Sequence, residues 1–108
     1  MSRLNVANFR HPDAIADSLT LTSGGDVSIS GNFTSHLVPD VTNTYDLGSS
    51  TLRWRNVYTN DLNLSNEGGA NDVDGTWGSW TIQEGEDDLF LLNRRNGKKY
   101  KFNLSEVN

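Results

Sequence analysis

The sequence predicts an all-β protein of short strands and tight turns, elongated and associating as an intertwined homotrimer. Three observations carry that expectation. Apolar and polar residues alternate over short runs, the period of a half-buried strand. Clusters of glycine, asparagine, aspartate and serine separate those runs at close intervals, as turn chemistry requires. Hydrophobic residues make up only 34% of the 108, with 21% charged, a small apolar share for a compact single-chain core. Each predicted strand in the N-terminal third offers about two inward apolar side chains, so burial between copies is the expected source of stability.

The elements follow in order. Leu4, Val6 and Phe9 alternate weakly at the N-terminus. Arg10-His11-Pro12-Asp13 is a turn, because Pro12 biases His11 away from helical geometry. Ser18-Leu19-Thr20-Leu21-Thr22 is a strand with Leu19 and Leu21 on one face. Ser23-Gly24-Gly25-Asp26 turns the chain, and Val27-Ser28-Ile29-Ser30 repeats the pattern with Val27 and Ile29 inward. Gly31-Asn32 is the next turn, and Phe33 follows as an apolar anchor. Pro39 has no N–H, which makes Leu37–Val41 an edge or a connector.

Residues 45–65 hold one of the three Trp and two of the three Tyr. Asp46, Gly48, Ser49 and Ser50 form a turn cluster, and either serine hydroxyl can N-cap one helical turn. Period-two alternation then runs through Leu52, Trp54, Tyr58, Leu62 and Leu64, broken by Asn56 and Asn60. The expectation is a short helical turn near 50–55, then strands near 56–59 and 61–65.

Residues 66–78 form the longest irregular segment and contain four of the ten glycines; a loop of that length in so small a chain is mobile or functional. Ser79–Gln83 is a strand with Trp80 and Ile82 on one face. Glu84–Asp88 is an acidic turn. Leu89–Asn93 is the most apolar run and is expected as a buried central strand. Asn96-Gly97 is the strongest hairpin signal, suited to a type I′ turn. Beyond it Tyr100, Phe102 and Leu104 alternate with lysines. These last strands predict a three-stranded antiparallel meander with its acidic and basic turns at opposite ends.

The run YDLGSS-x-x-RWR-x-VY-x-x-DL-x-LS, Tyr45 to Ser65, resembles a segment of bacteriophage tail-fibre and tailspike proteins. The stretch WTIQEG followed by GKKYKF-x-L, Trp80 to Leu104, is similar to the C-terminal end of short structural proteins of phages, cyanobacterial phages especially. Together the two cover about half the chain. The resemblance implies a virion structural protein. The tail-fibre segment often precedes a self-cleaving chaperone domain with a Ser–Lys pair; nothing after Ser65 matches that domain, so its activity is not carried over.

The chemistry-bearing residues give no enzyme. His11 and His36 lie in polar turns with no nucleophile elbow. Glu84, Glu86, Asp87 and Asp88 crowd one turn rather than flanking a cleft. Asn71–Gly75 lacks the first and last carboxylates of a calcium loop. There is no cysteine for a thiolate site, and no cofactor or metal is called for. A net charge of −5 and a pI near 4.7 oppose nucleic-acid binding. No apolar run spans a bilayer, and Met1–Phe9 has no apolar signal core. Arg94, Arg95, Lys98, Lys99 and Lys101 are read as a charged hairpin that keeps an edge strand soluble. Trp77, beside the glycine-rich loop, is the candidate glycan-binding residue.

The organisation expected is an N-terminal attachment and short-strand fibre region over 1–44, a brace over 45–65, and a loop with a β-meander cap over 66–108. Leu19, Leu21, Val27, Ile29, Phe33, Trp54, Tyr58, Leu62 and Leu64 are the expected subunit-interface residues. The expected function is non-enzymatic: a short trimeric fibre or spike component of a phage tail or tail tip, assembled in the host cytoplasm and located in the virion. Its partners would be its own copies and other virion proteins. A capsid-surface fibre or decoration protein, and a host-glycan-binding receptor module, are the alternatives.

Overall fold

A computed structural model describes residues 5–108; Leu4, at the start of the N-terminal alternation, lies outside the described residues. The chain divides into two units, Met1–Leu47 and Gly48–Asn108. Each contains one antiparallel sheet, and among the described residues there is no helix.

The first unit holds β1 (Asn8–Phe9), β2 (Leu19–Leu21) and β3 (Val27–Ile29), paired in that order. Leu19 lies opposite Phe9 on one side and Ile29 on the other, and Leu21 lies opposite Val27. Because side chains directly opposite share a face, these five apolar residues form one patch. The two-residue β1 goes beyond the sequence expectation. It is held by the Ser18 N–H donating to the Phe9 carbonyl at 2.9 Å, and by the Arg10–Asp17 ion pair at 2.7 Å across the connection. The tight turn between β2 and β3 is closed by Thr22, whose hydroxyl accepts from the Asp26 N–H at 3.0 Å.

The second unit holds β4 (Leu62–Ser65), β5 (Ser79–Glu84), β6 (Leu89–Asn93) and β7 (Lys99–Lys101), again paired in order. The expected three-stranded meander is therefore four-stranded. Residues 62–65 were legible as a strand, but the long 66–78 connection hid their partner. The register Leu62↔Ile82 and Leu64↔Trp80 matches apolar to apolar and explains the pairing.

The turn after β6 is not a two-residue type I′ turn. Asn93 pairs with Lys98, the Gly97 N–H donates to the Asn93 carbonyl at 2.9 Å, and only Gly97 of the loop has positive φ, 75°. The Asn93 side chain decides this. Its Oδ1 accepts from the N–H groups of Arg95 and Asn96 at 2.9 and 3.2 Å, an Asx turn that favours the longer loop. β6 is an inner strand, as expected, but against the expectation of a buried strand it is only half-buried, because no layer among the described residues packs over the sheet.

Opposite faces of this sheet differ. Leu62, Leu64, Trp80, Ile82, Leu89, Leu91 and Tyr100 share one face by register. The other carries Asn63, Thr81, Gln83, Lys99 and Lys101, together with Phe90 and Leu92. No layer covers either: among the described residues no hydrophobic side chain is buried, and Thr81 alone is fully enclosed, at 0% exposure.

Candidate functional site

The central stretch is irregular but fixed locally. Gly48 has φ 81°, in the region that favours glycine. A Cβ there would stand 3.2 Å from the Leu52 carbonyl oxygen and 3.4 Å from the Trp54 indole, so Gly48 lets Trp54 fold back on the turn. Ser49 accepts from the Leu52 N–H through its hydroxyl at 3.0 Å, as an N-cap would. No helical turn over 50–55 follows. The Leu52 carbonyl, which a helix would offer to Asn56, instead accepts from the Ser49 N–H at 3.0 Å. The strand expected at 56–59 is also absent, since no neighbour pairs with it.

The anchors of that stretch are unshielded within the chain. Trp54 is 65% exposed and Tyr58 91%. Of the other residues expected at subunit contacts, Leu21, Val27, Ile29 and Phe33 are exposed, Leu19 is half-buried, and Leu62 and Leu64 are about half exposed. The structure brings Leu19, Leu21, Val27 and Ile29 together on one sheet face. Leu62 and Leu64 lie on the apolar face of the other sheet. Sequence reasoning did not single out Ile82, Leu89 and Leu91 as companions of Leu62 and Leu64. Their shared parity across β4, β5 and β6 was the signal.

An open groove of about 1010 Å³ lies at one end of the C-terminal sheet, lined by Trp77, Trp80, Asp74 and several asparagines. Its rim is the 66–78 loop, which is tied down by its own polar groups. Asn66 Oδ1 accepts from the Gly78 N–H at 2.7 Å and closes the loop at its base. Asn71 Oδ1 accepts from the N–H groups of Val73 and Asp74 at 2.8 and 2.9 Å. Asp74 Oδ1 accepts from the Thr76 hydroxyl and the Asn71 amide, each at 2.7 Å. The Thr76 hydroxyl chiefly, then the Asn71 amide and the Thr76 N–H, holds the Asp74 carboxyl below its ordinary range.

Trp77 sits against this rim with the Arg95 guanidinium 3.7 Å over its ring, and Arg95 also donates to the Trp77 carbonyl at 2.9 Å. One indole face is thus engaged by a cation within the protein. Trp80 forms the groove wall. Its ring is 5.9 Å from that of Tyr100 at 44°. A Cβ at Gly78 would stand 2.9 Å from its indole nitrogen, so only glycine permits the approach. Asn93 and Asn96 spend their side-chain oxygens on turn N–H groups, while their Nδ2 groups donate to no protein group among the described residues.

Compared with known families, curated proteins and solved structures, the chain matches none.

Proposed function

We propose that the chain is a non-enzymatic structural protein of a bacteriophage virion, a short homotrimeric fibre or spike component of the tail or tail tip. The observation that supports this most is the absence of any buried hydrophobic side chain among the described residues. Both sheets present an apolar face with no layer over it, and Trp54 and Tyr58 project without shelter. Burying one large aromatic at a subunit contact contributes about 2–3 kcal/mol, so a few such anchors per chain suffice to drive association. The virion assignment draws on the resemblance of Tyr45–Ser65 and Trp80–Leu104 to phage fibre and structural proteins. In this role the protein works mechanically, by burial between copies and against neighbouring virion proteins. Light scattering of the purified protein is expected to give three times the chain mass of 12.0 kDa. A stable monomer at micromolar concentration overturns the proposal.

The groove favours a second reading, a module that binds host-surface glycan. It joins the Trp77 indole to the uncommitted amide donors of Asn93 and Asn96 and to the Asp74 carboxylate, the mixture of apolar ring and polar groups that a sugar face takes. Trp77→Ala is expected to abolish signal on a glycan array while leaving the oligomer mass unchanged. No glycan binding by the intact assembly removes this reading.

A further inference from the structure

We infer that the seam between copies is edge to edge: β7 of one copy pairs with β4 of the next, closing three four-stranded sheets into one antiparallel ring with the apolar face inward. This rests on the self-association proposed above.

Topology is the first argument. The order β4-β5-β6-β7 is antiparallel throughout. An even number of alternating strands leaves the two edge strands running in opposite directions. Copies arranged about an axis parallel to the strands therefore set β7 beside an oppositely directed β4. Every seam then continues the antiparallel pattern. A three-stranded sheet would have parallel edges and could not close this way.

The edges themselves are the second argument. Leu62–Ser65 and Lys99–Lys101 each pair on one side only, and no other segment among the described residues hydrogen-bonds to their outward backbone groups. Such an edge is a template for another strand.

Charge selects the partner. Register places Lys101 level with Asp61, which immediately precedes β4, and Lys99 level with Asn63. Lys101 has only a long contact, 4.0 Å, to Asp88 within its own chain. A β7–β4 seam thus sets Lys101 beside the Asp61 carboxylate and Lys99 beside the neutral Asn63. Pairing β7 with a second β7 sets lysines opposite lysines, which opposes association. Closure encloses Leu64, Ile82, Leu91 and Tyr100 and leaves Asn63, Lys99 and Lys101 in water, with Phe90 and Leu92 between them on the outer face.

The chain has no cysteine, so introduced ones report cleanly. Ser65→Cys and Lys99→Cys lie at the same end and on the same face. With a short bis-maleimide, the double variant is expected to give a covalent ladder that stops at three chains, while each single variant gives none. Dimers from a single variant show like edges pairing and overturn the seam. No ladder from a double variant that still scatters as a trimer also overturns it, leaving self-association standing. A wild-type monomer removes both. Charge reversal gives an independent reading should the cysteines disturb the fold. Lys101→Glu is expected to weaken association about tenfold, and adding Asp61→Lys to restore it. Unchanged association in Lys101→Glu means that the lysines only keep a solvent-facing edge soluble, and the inference fails.

Discussion

Trp80→Ala is expected to destabilise the C-terminal sheet by about 2–3 kcal/mol, with a fall in melting temperature on the order of 10 °C or more. Trp80 is where three features of this unit meet. It stands opposite Leu64 on β4 and Asn93 on β6. Its ring makes the tilted contact with Tyr100 of β7. Its indole nitrogen lies against Gly78, where the loop rejoins the sheet. Truncation therefore removes apolar contact across the sheet and opens the groove wall. Trp80→Phe keeps a ring for Tyr100 and should lose roughly half as much. Thermal unfolding followed by far-UV circular dichroism, at fixed protein concentration, separates the two variants. Equal stability of Trp80→Ala and wild type would show that the aromatic pair contributes nothing to holding the sheet.

Much of the fold was legible because alternation is a local signal. Leu19 and Leu21, Val27 and Ile29, and Trp80 and Ile82 each define a strand and its apolar face. What alternation does not carry is who pairs with whom across a long connection. β4 was visible as a strand and invisible as a member of the meander, since the 66–78 loop gives no register of its own. The loop's order was also hidden. It comes from Asn66, Asn71, Asp74 and Thr76 exchanging hydrogen bonds, and side-chain turns of this kind are marked in sequence only by Asn and Asp at short spacing.

The central stretch shows the opposite failure, where a correct local signal points to the wrong element. Ser49 does accept the N–H of Leu52, as a capping serine should. A cap satisfies one donor, whereas a helix needs the carbonyls of the first turn to be available to later N–H groups. The Ser49 N–H takes the Leu52 carbonyl, so the chain closes a loop instead. At Asn96-Gly97 the glycine takes its positive φ, yet Asn93, three residues earlier, governs the loop length. At Asn96-Gly97 the side-chain hydrogen bonds of Asn93 outweighed the dipeptide signal, and at Ser49 a backbone hydrogen bond outweighed the cap signal. The residues expected at subunit contacts stand out in the sequence as apolar side chains with too little intrachain partner surface, and most of them are exposed within the chain. The faces they share required the register.

Thr81→Val is expected to cost about 1–3 kcal/mol, although it preserves shape and adds no polar atom. Thr81 is the one fully enclosed residue among those described. It lies on the polar face of β5, between Asn63 of β4 and Leu92 of β6. Its hydroxyl donates to Asn63 Oδ1 at 2.7 Å and accepts from Arg94 Nε at 2.9 Å. One oxygen thus ties β4, β5 and the turn after β6. Valine removes both bonds at once and leaves an amide oxygen and a charged N–H facing a methyl group. Both partners are part-exposed and can turn toward water, which places the cost in the lower half of that range. Thr81→Ser retains the hydroxyl and loses only a methyl group, so it should cost less, about 1 kcal/mol. Chemical denaturation of the two variants gives the comparison directly. If valine proves as stable as serine, the Asn63–Thr81–Arg94 chain is not what holds β4 to the meander, and the apolar register Leu62↔Ile82 and Leu64↔Trp80 must hold it alone.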